Sequence, residues 1–428
     1  MVTRIPLGIQ HRLKQSTLFL LFFGEGTKQR QDIAHETGTY IVFLTAAYKL
    51  STIGLQGDGT MDQAYIQATS LQQARNLREL PVSVVADALP VKHDRYHNWE
   101  AGHELPTFKQ AQKLASILHI PFGYLFLKEI PKRKVDIPDY RTLENKAPFS
   151  EDFLDLYGLV TRQRDWYSEY RKTIIEAPPL QFVGKHTTRS TPQEMASSLK
   201  TLLGYEEAQS GKDVTLTNLV SRAAKQSIII QRSGSIDGNT RRPLSVEEFR
   251  GFVICDTYAP FVFINSKDAE VAQIFTLMHE LAHIILGESG VDSPQPGTER
   301  LCNRTAVEFL LPTSIRNDFT ECTMLPRIKS KAKRYSVSVQ TLLIRLVTWE
   351  ILNQDQYDQL LAEYQGQPFK KEQGGGGNYY RNLRSRINPR LLETLVESVR
   401  TGDTLHREAQ SLLKVSANTF ATLLKGDA

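Results

Sequence analysis

Phe275-Thr276-Leu277-Met278-His279-Glu280-Leu281-Ala282-His283-Ile284-Ile285-Leu286 is the stretch on which the reading of this chain turns. Its two histidines stand four residues apart, a separation that puts both imidazoles on one face of a helix. The helix is predicted over Ala269 to Leu286, and apolar residues on several of its faces make it a buried one. Two imidazoles and the Glu280 carboxylate, left there without partners, would cost several kcal/mol of desolvation. A bound metal ion removes that cost. Hydrogen-bonded core or rim histidines are the bland alternative, which the intervening glutamate disfavours.

A catalytic zinc takes three protein ligands and keeps a fourth position for water, so a third ligand has to come from elsewhere. No further histidine follows at metzincin spacing, since Gly287 and Ser289 occupy those places. The best candidate is Glu299, sixteen residues past His283, at the start of a second predicted helix over Thr298 to Leu311, closed by Pro312. Glu308, Glu288 and Asp292 compete with it. With His279, His283 and one of these carboxylates on a single zinc per chain, Glu280 is the candidate general base for hydrolysis of an amide. A set of two histidines and one carboxylate is also open to manganese or iron.

Upstream, β-rich runs at Ser227–Gln231, Phe249–Cys255 and Phe261–Asn265 predict a small sheet, preceded by helical stretches at Thr191–Leu203 and Thr215–Gln226. Farther back, Glu151 to Tyr170 reads as a long amphipathic helix carrying Phe153, Leu154, Tyr157, Val160, Trp166, Tyr167 and Tyr170. The basic, proline-bearing stretch Lys128 to Pro138 reads as a linker. Ahead of it, Ser70 to Leu127 is a string of short helices, with apolar sets at Leu71, Ala74, Leu77, then Val85, Ala86, Leu89, then Tyr96, Trp99, then Phe108, Ala111, Leu114, Ala115, Leu118. Beyond the centre, Gly374–Gly377 looks like a flexible joint before a last helical segment over Pro389 to Gly426.

The 428 residues call for two to four domains, and 40% hydrophobic with 23% charged residues is the composition of a folded chain. A net charge of +5 permits nucleic-acid contact without indicating it. Cys255, Cys302 and Cys322 form neither a thiolate zinc pattern nor a disulfide framework, which fits a reducing, cytoplasmic setting. The apolar runs Leu18–Phe23 and Ile41–Ala47 are too short to cross a bilayer, so no membrane association is expected. Residues 1–60 fit no template, and Met61, just ahead of the helical string, is a candidate natural start.

With these residues in view, the chain resembles the ImmA/IrrE family of metallo-endopeptidases. The resemblance rests on Glu248-Phe249-Arg250-Gly251-Phe252, Phe261 to Asn265, Phe275-Thr276-Leu277 with the histidine motif, and Glu299-Arg300-Leu301-Cys302-Asn303 running to Leu310-Leu311-Pro312, about half the chain in all. It implies that Glu299 is the third zinc ligand, and that the substrate is a transcriptional repressor cut during a stress or mobile-element response. Ser70 to Leu127 resembles the helix-turn-helix modules of phage-repressor type, through Trp99-Glu100-Ala101-Gly102 and Pro106-Thr107. If Val91 to Glu100 is its recognition helix, Lys92, His93, Arg95, His97 and Asn98 are the candidate DNA contacts, offset by Asp94, Glu100 and Glu104.

The expected fold class is therefore multidomain α+β: an all-α helix-turn-helix domain, a zincin-like metallopeptidase domain of small sheet plus H-E-x-x-H helix, and a helical C-terminal unit. The divisions are 1–60 unassigned extension, 61–130 helix-turn-helix, 131–190 linker and long helix, 191–320 peptidase, 321–370 helical extension, and 371–428 glycine run and C-terminal unit. Thr404 to Leu424 reads as a weak second helix-turn-helix or as a docking unit, the latter allowing a homodimer. The alternative functions are a DNA-binding regulator or antitoxin-like protein in which the peptidase fold senses without cutting.

Overall fold

In a computed structural model of the chain, the described residues are 63–131, 149–205, 214–239, 241–289, 296–366 and 386–425. The unassigned extension, Met61, most of the linker, Asp292 and the glycine run lie outside them. The chain divides after Pro131 into two units, each described by itself below.

The first unit is all helix: α1 (Ala68–Leu77), α2 (Val82–Ala88), α3 (His93–Glu100) and α4 (Phe108–Ile117), followed by a 3-10 turn at Phe122–Phe126. Thr107 caps α4 in a capping box: its hydroxyl accepts from Gln110 N at 3.3 Å, and the Gln110 amide oxygen accepts from Thr107 N at 2.9 Å. Tyr96 and Trp99, three residues apart on α3, are buried among Leu71, Ala74, Val85, Ala86 and Leu114. A two-pronged ion pair from Arg75 to Glu100, at 2.7 and 3.0 Å, ties α1 to α3. Two expected core residues face water instead. Leu77 sits at the end of α1 and is exposed, and Phe108, also exposed, packs edge-on against Phe122 at 5.0 Å.

The second unit is built on a three-stranded mixed sheet with strand order β1-β3-β2, from β1 (Ile229–Ser233), β2 (Gly251–Ile254) and β3 (Phe261–Asn265). β1 runs parallel to β3 and β2 antiparallel. All five residues of β3 are buried, as a central strand covered on both faces requires. Alternation then sorts its side chains: Val262 and Ile264 enter one apolar cluster, Phe261 and Phe263 the other.

The first cluster lies under α6 (Pro192–Leu203), α7 (Leu216–Lys225), α8 (Glu270–Leu286) and α9 (Pro296–Leu310), and continues into α10 (Leu325–Arg334), α11 (Val339–Thr348) and α12 (Gln354–Gln365). The second lies under α5 (Glu151–Thr173) and the C-terminal helices α13 (Pro389–Thr401), α14 (His406–Leu413) and α15 (Ala417–Lys425). The architecture is thus α+β, mostly helical, with helices on both faces of a small sheet.

Helix α5 is one turn longer than the pattern predicts, and buries Phe153, Leu156, Val160, Gln163 and Tyr167 at helical spacing. Ser150 caps it, accepting from Phe153 N at 3.1 Å. The sequence reads the C-terminal helices as a small unit beyond a joint. In the structure they pack on the sheet: Asn388 Nδ2 donates to Ile230 O of β1 at 3.0 Å, and Gln163 Nε2 of α5 donates to Leu412 O at 2.7 Å. Their apolar residues Leu391, Leu395, Val399, Leu412 and Phe420 join the phenylalanines of the sheet and the buried face of α5 in one cluster. Among the described residues, no helix is long and apolar enough to cross a membrane.

Candidate metal centre

Helix α8 carries the histidine motif through the middle of the second unit. Its start is an uncapped Ala269, and its end is set by Gly287 at φ 74°, the left-handed conformation that glycine adopts without penalty. Gly287 also passes close to Gly184: a Cβ added there would stand 3.0 Å from the Gly184 Cα. The segment around Gly184 continues along the helix end, with Gly184 N and His186 N donating to the carbonyls of Ile284 and Ile285 at 3.1 and 2.8 Å.

His279 and His283 lie one turn apart with ring centroids 4.8 Å from each other, and their Nε2 atoms approach to 3.1 Å. Helix α9 packs across α8 and brings Glu299 to both. Oε2 of Glu299 is 3.2 Å from His279 Nε2, and Oε1 is 3.3 Å from His283 Nε2. Among the described residues, this is the group of three or more His, Cys, Asp or Glu side chains whose ligand atoms converge, all lying within 4.8 Å of one another.

The donor set fits a zinc ion. Two imidazole nitrogens and one carboxylate are a catalytic zinc's ligand set, and a tetrahedral ion with bonds of ~2.0–2.1 Å holds its ligands roughly 3.3 Å apart. The two histidine nitrogens, 3.1 Å apart, stand near that edge length, and each oxygen of Glu299 lies at a comparable 3.2 or 3.3 Å from one of them. The electrostatics agree. Burial alone would lower the His279 pKa, but the hydrogen bond and charge of Glu299, with the charge of Glu280 and a contact from Asn303, raise it instead. For Glu299, burial would raise the carboxyl pKa, and the two histidines overcome it and hold it well below the usual carboxylate range. The Glu299 carboxylate thus faces both imidazoles.

Glu280, on the turn between the two histidines, is buried and lies close to β2. A Cβ added to Gly251 would come within 3.2 Å of Glu280 Oε1, 3.0 Å of Phe263 O and 2.6 Å of Thr276 Cγ2. The bare Cα of Gly251 is therefore what lets the strand lie this close to the carboxylate.

Neither Glu308 nor Glu288 belongs to the converging group. Glu308 is buried and paired with Arg345 of α11, while its Oε1 accepts from Thr313 N at 2.9 Å, so it joins α9 to α11. Glu288 lies just past the end of α8, and its carbonyl accepts from the Cys255 thiol at 2.9 Å. Burial pushes that thiol up to about 12, and burial raises the Cys302 thiol too, so neither supplies a thiolate at neutral pH.

Asn303 belongs to the motif quoted above, but the sequence reading assigns it no role. Its Oδ1 stands 3.1 Å from His279 Nδ1. The signal was its position four residues after Glu299, on the same face of α9.

In the first unit, α3 begins at His93, so Val91 and Lys92 of the expected recognition helix precede it. Lys92, His93, Arg95 and His97 are exposed and Asn98 is half-buried. His93 meets Asp87 at 3.1 Å, while Arg95 and Asn98 both engage Glu104, at 3.5 and 3.0 Å.

Residues 240–347 match the family model for the IrrE N-terminal-like domain of the peptidase M78 family. The match supports the ImmA/IrrE resemblance and is shorter than the half of the chain on which that resemblance was read. It takes in β2, β3, α8, α9, α10 and nearly all of α11, hence the three converging side chains and Glu280. It includes neither β1 nor the C-terminal helices of the same unit, nor the first unit. No curated protein matches the chain.

Proposed function

We propose that the second unit is a zinc-dependent endopeptidase of the ImmA/IrrE type, which cleaves a transcriptional repressor, and that the first unit is a phage-repressor-type helix-turn-helix that contacts DNA. The observation that carries the enzymatic part is the convergence of His279, His283 and Glu299, with Glu280 on the intervening turn of the same helix. His279 Nε2, His283 Nε2 and the Glu299 carboxylate would hold the ion. When bound, zinc supplies a Lewis acid that acidifies water and polarises the scissile carbonyl.

Glu280 accepts the proton of the attacking water and returns it to the amine of the departing peptide. Glu299 balances the charge of the centre, and its low pKa keeps it ionised and able to ligate across the whole neutral range. The DNA-contacting part is supported by the exposed His93, Arg95 and His97 of α3 and by the exposed Lys92 just ahead of it.

Elemental analysis of the purified chain and of His283→Ala tests the centre: one zinc per chain in the first and none in the second is expected. The Glu280→Gln chain then retains zinc and loses cleavage of repressors encoded near its gene, a drop of about 10²–10⁴-fold for loss of a general base. Cleavage by Glu280→Gln at the rate of the unaltered chain refutes the assigned mechanism.

A further inference from the structure

We propose that Asn303 is a positioning residue of the metal centre, whose side-chain oxygen holds the proton of His279 on Nδ1 and so presents the bare Nε2 to the ion. This rests on the metal-centre reading above and adds a residue to it.

A neutral imidazole has one N–H and one lone pair, and the group that faces one nitrogen decides what the other can do. In His279 the two nitrogens face different partners. Nε2 looks into the cluster, 3.1 Å from His283 Nε2 and 3.2 Å from Glu299 Oε2, while Nδ1 looks out of it to Asn303 Oδ1 at 3.1 Å. An amide oxygen only accepts, so this contact requires the hydrogen on Nδ1. Nε2 is then left with its lone pair aimed where His283 and Glu299 converge.

Helix α9 supplies both halves of the arrangement. Glu299 and Asn303 are four residues apart, one turn of about 5.4 Å, so one face of α9 brackets the His279 ring with a ligand on one side and an acceptor on the other. A rigid element thereby sets the ring's orientation as well as its protonation, and the imidazole is not free to turn about its side-chain bonds. Asn303 is exposed and lies outside the apolar clusters of this unit, so its removal takes nothing from the core.

The test compares the unaltered chain with Asn303→Ala and Asn303→Asp, measuring zinc affinity by competition with a chelator of known strength and the thermal midpoint of each metal-free protein. Asn303→Ala is expected to bind zinc about 10–100-fold more weakly, as for other groups that orient a ligand, with the metal-free midpoint unchanged. Asn303→Asp, which keeps an acceptor and cannot donate, is expected to bind at least as tightly as the unaltered chain. In the zinc-loaded protein labelled with 15N-histidine, the His279 Nδ1–H proton should be observed, and should broaden into exchange with water in Asn303→Ala. Equal affinity in all three chains overturns the inference and leaves the metal centre standing. Weak binding by Asn303→Asp and Asn303→Ala alike overturns the acceptor role. An unaltered chain that takes up no zinc overturns the centre and this inference together.

Discussion

Glu299 and Glu308 stand nine residues apart on one helix, and exchanging their roles would give a different protein. The structure assigns them opposite consequences on removal. Glu308→Ala leaves Arg345 buried with its charge uncompensated and removes the acceptor of Thr313 N, while Arg345 keeps only neutral acceptors such as Leu311 O at 3.0 Å. Breaking a buried pair from one side costs about 3–5 kcal/mol. In a unit this large, a loss of that size lowers the thermal midpoint by roughly 6–10 °C. Glu299→Ala removes a partly exposed carboxylate whose neighbours are the two histidines, so its effect falls on metal uptake. Differential scanning calorimetry with zinc analysis at 20 °C separates the two. The expected pattern is a large drop in midpoint with zinc retained for Glu308→Ala, and loss of zinc with a small change in the metal-free midpoint for Glu299→Ala. The reverse pattern would falsify the assignment of the third ligand.

Gly251→Ala places a methyl 2.6 Å from Thr276 Cγ2 and 3.2 Å from Glu280 Oε1, so β2 must move off α8. About 1–3 kcal/mol of stability should go, and a shift of the base should lower kcat roughly tenfold to a hundredfold with zinc content unaltered; a fully active variant refutes the close-approach role. In the metal-free protein, the raised His279 pKa contributes stability that is complete below the ordinary imidazole value of ~6.5 and lost as pH rises through the folded value. The depressed Glu299 pKa contributes above ~4.3 and is lost as pH falls through the folded value. The stability difference between the chelator-treated chain and Glu299→Gln should therefore be largest between about pH 4.5 and 6.5 and shrink toward pH 9; a difference that grows with pH contradicts the ion-pair cluster. Cys255, held protonated near 12, should resist iodoacetamide at pH 8 in the folded chain and react on unfolding. Rapid labelling of the native protein would refute its buried environment.

The helices and strands around the site were legible because each is a local pattern. The helical spacing through α8 and the all-apolar run of β3 need no knowledge of what they pack against, and the i, i+4 histidines share a face in any α-helix. Glu299 was the best third ligand on position but not separable from Glu308 on spacing, since either could face α8 until the packing of α9 is known. The buried Arg345, thirty-seven residues downstream, claims Glu308, and no local rule foresees it. Likewise Leu77 has the right period for the core, but lies at the end of α1 where the chain turns away into water.

What the sequence by itself determined is the set of groups within one helix: two imidazoles, a carboxylate between them, and a buried face that demands a partner for all three. What only the tertiary structure decided is whatever depends on two elements meeting. That includes the convergence of Glu299 on the histidine pair, the contact of Asn303 with His279, the fit of Gly251 against Glu280, and the C-terminal helices as the second cover of the sheet. The reason is that backbone periodicity is set by neighbours along the chain, whereas ligand geometry and burial are set by side chains that come from tens or hundreds of residues away, and only packing brings those together.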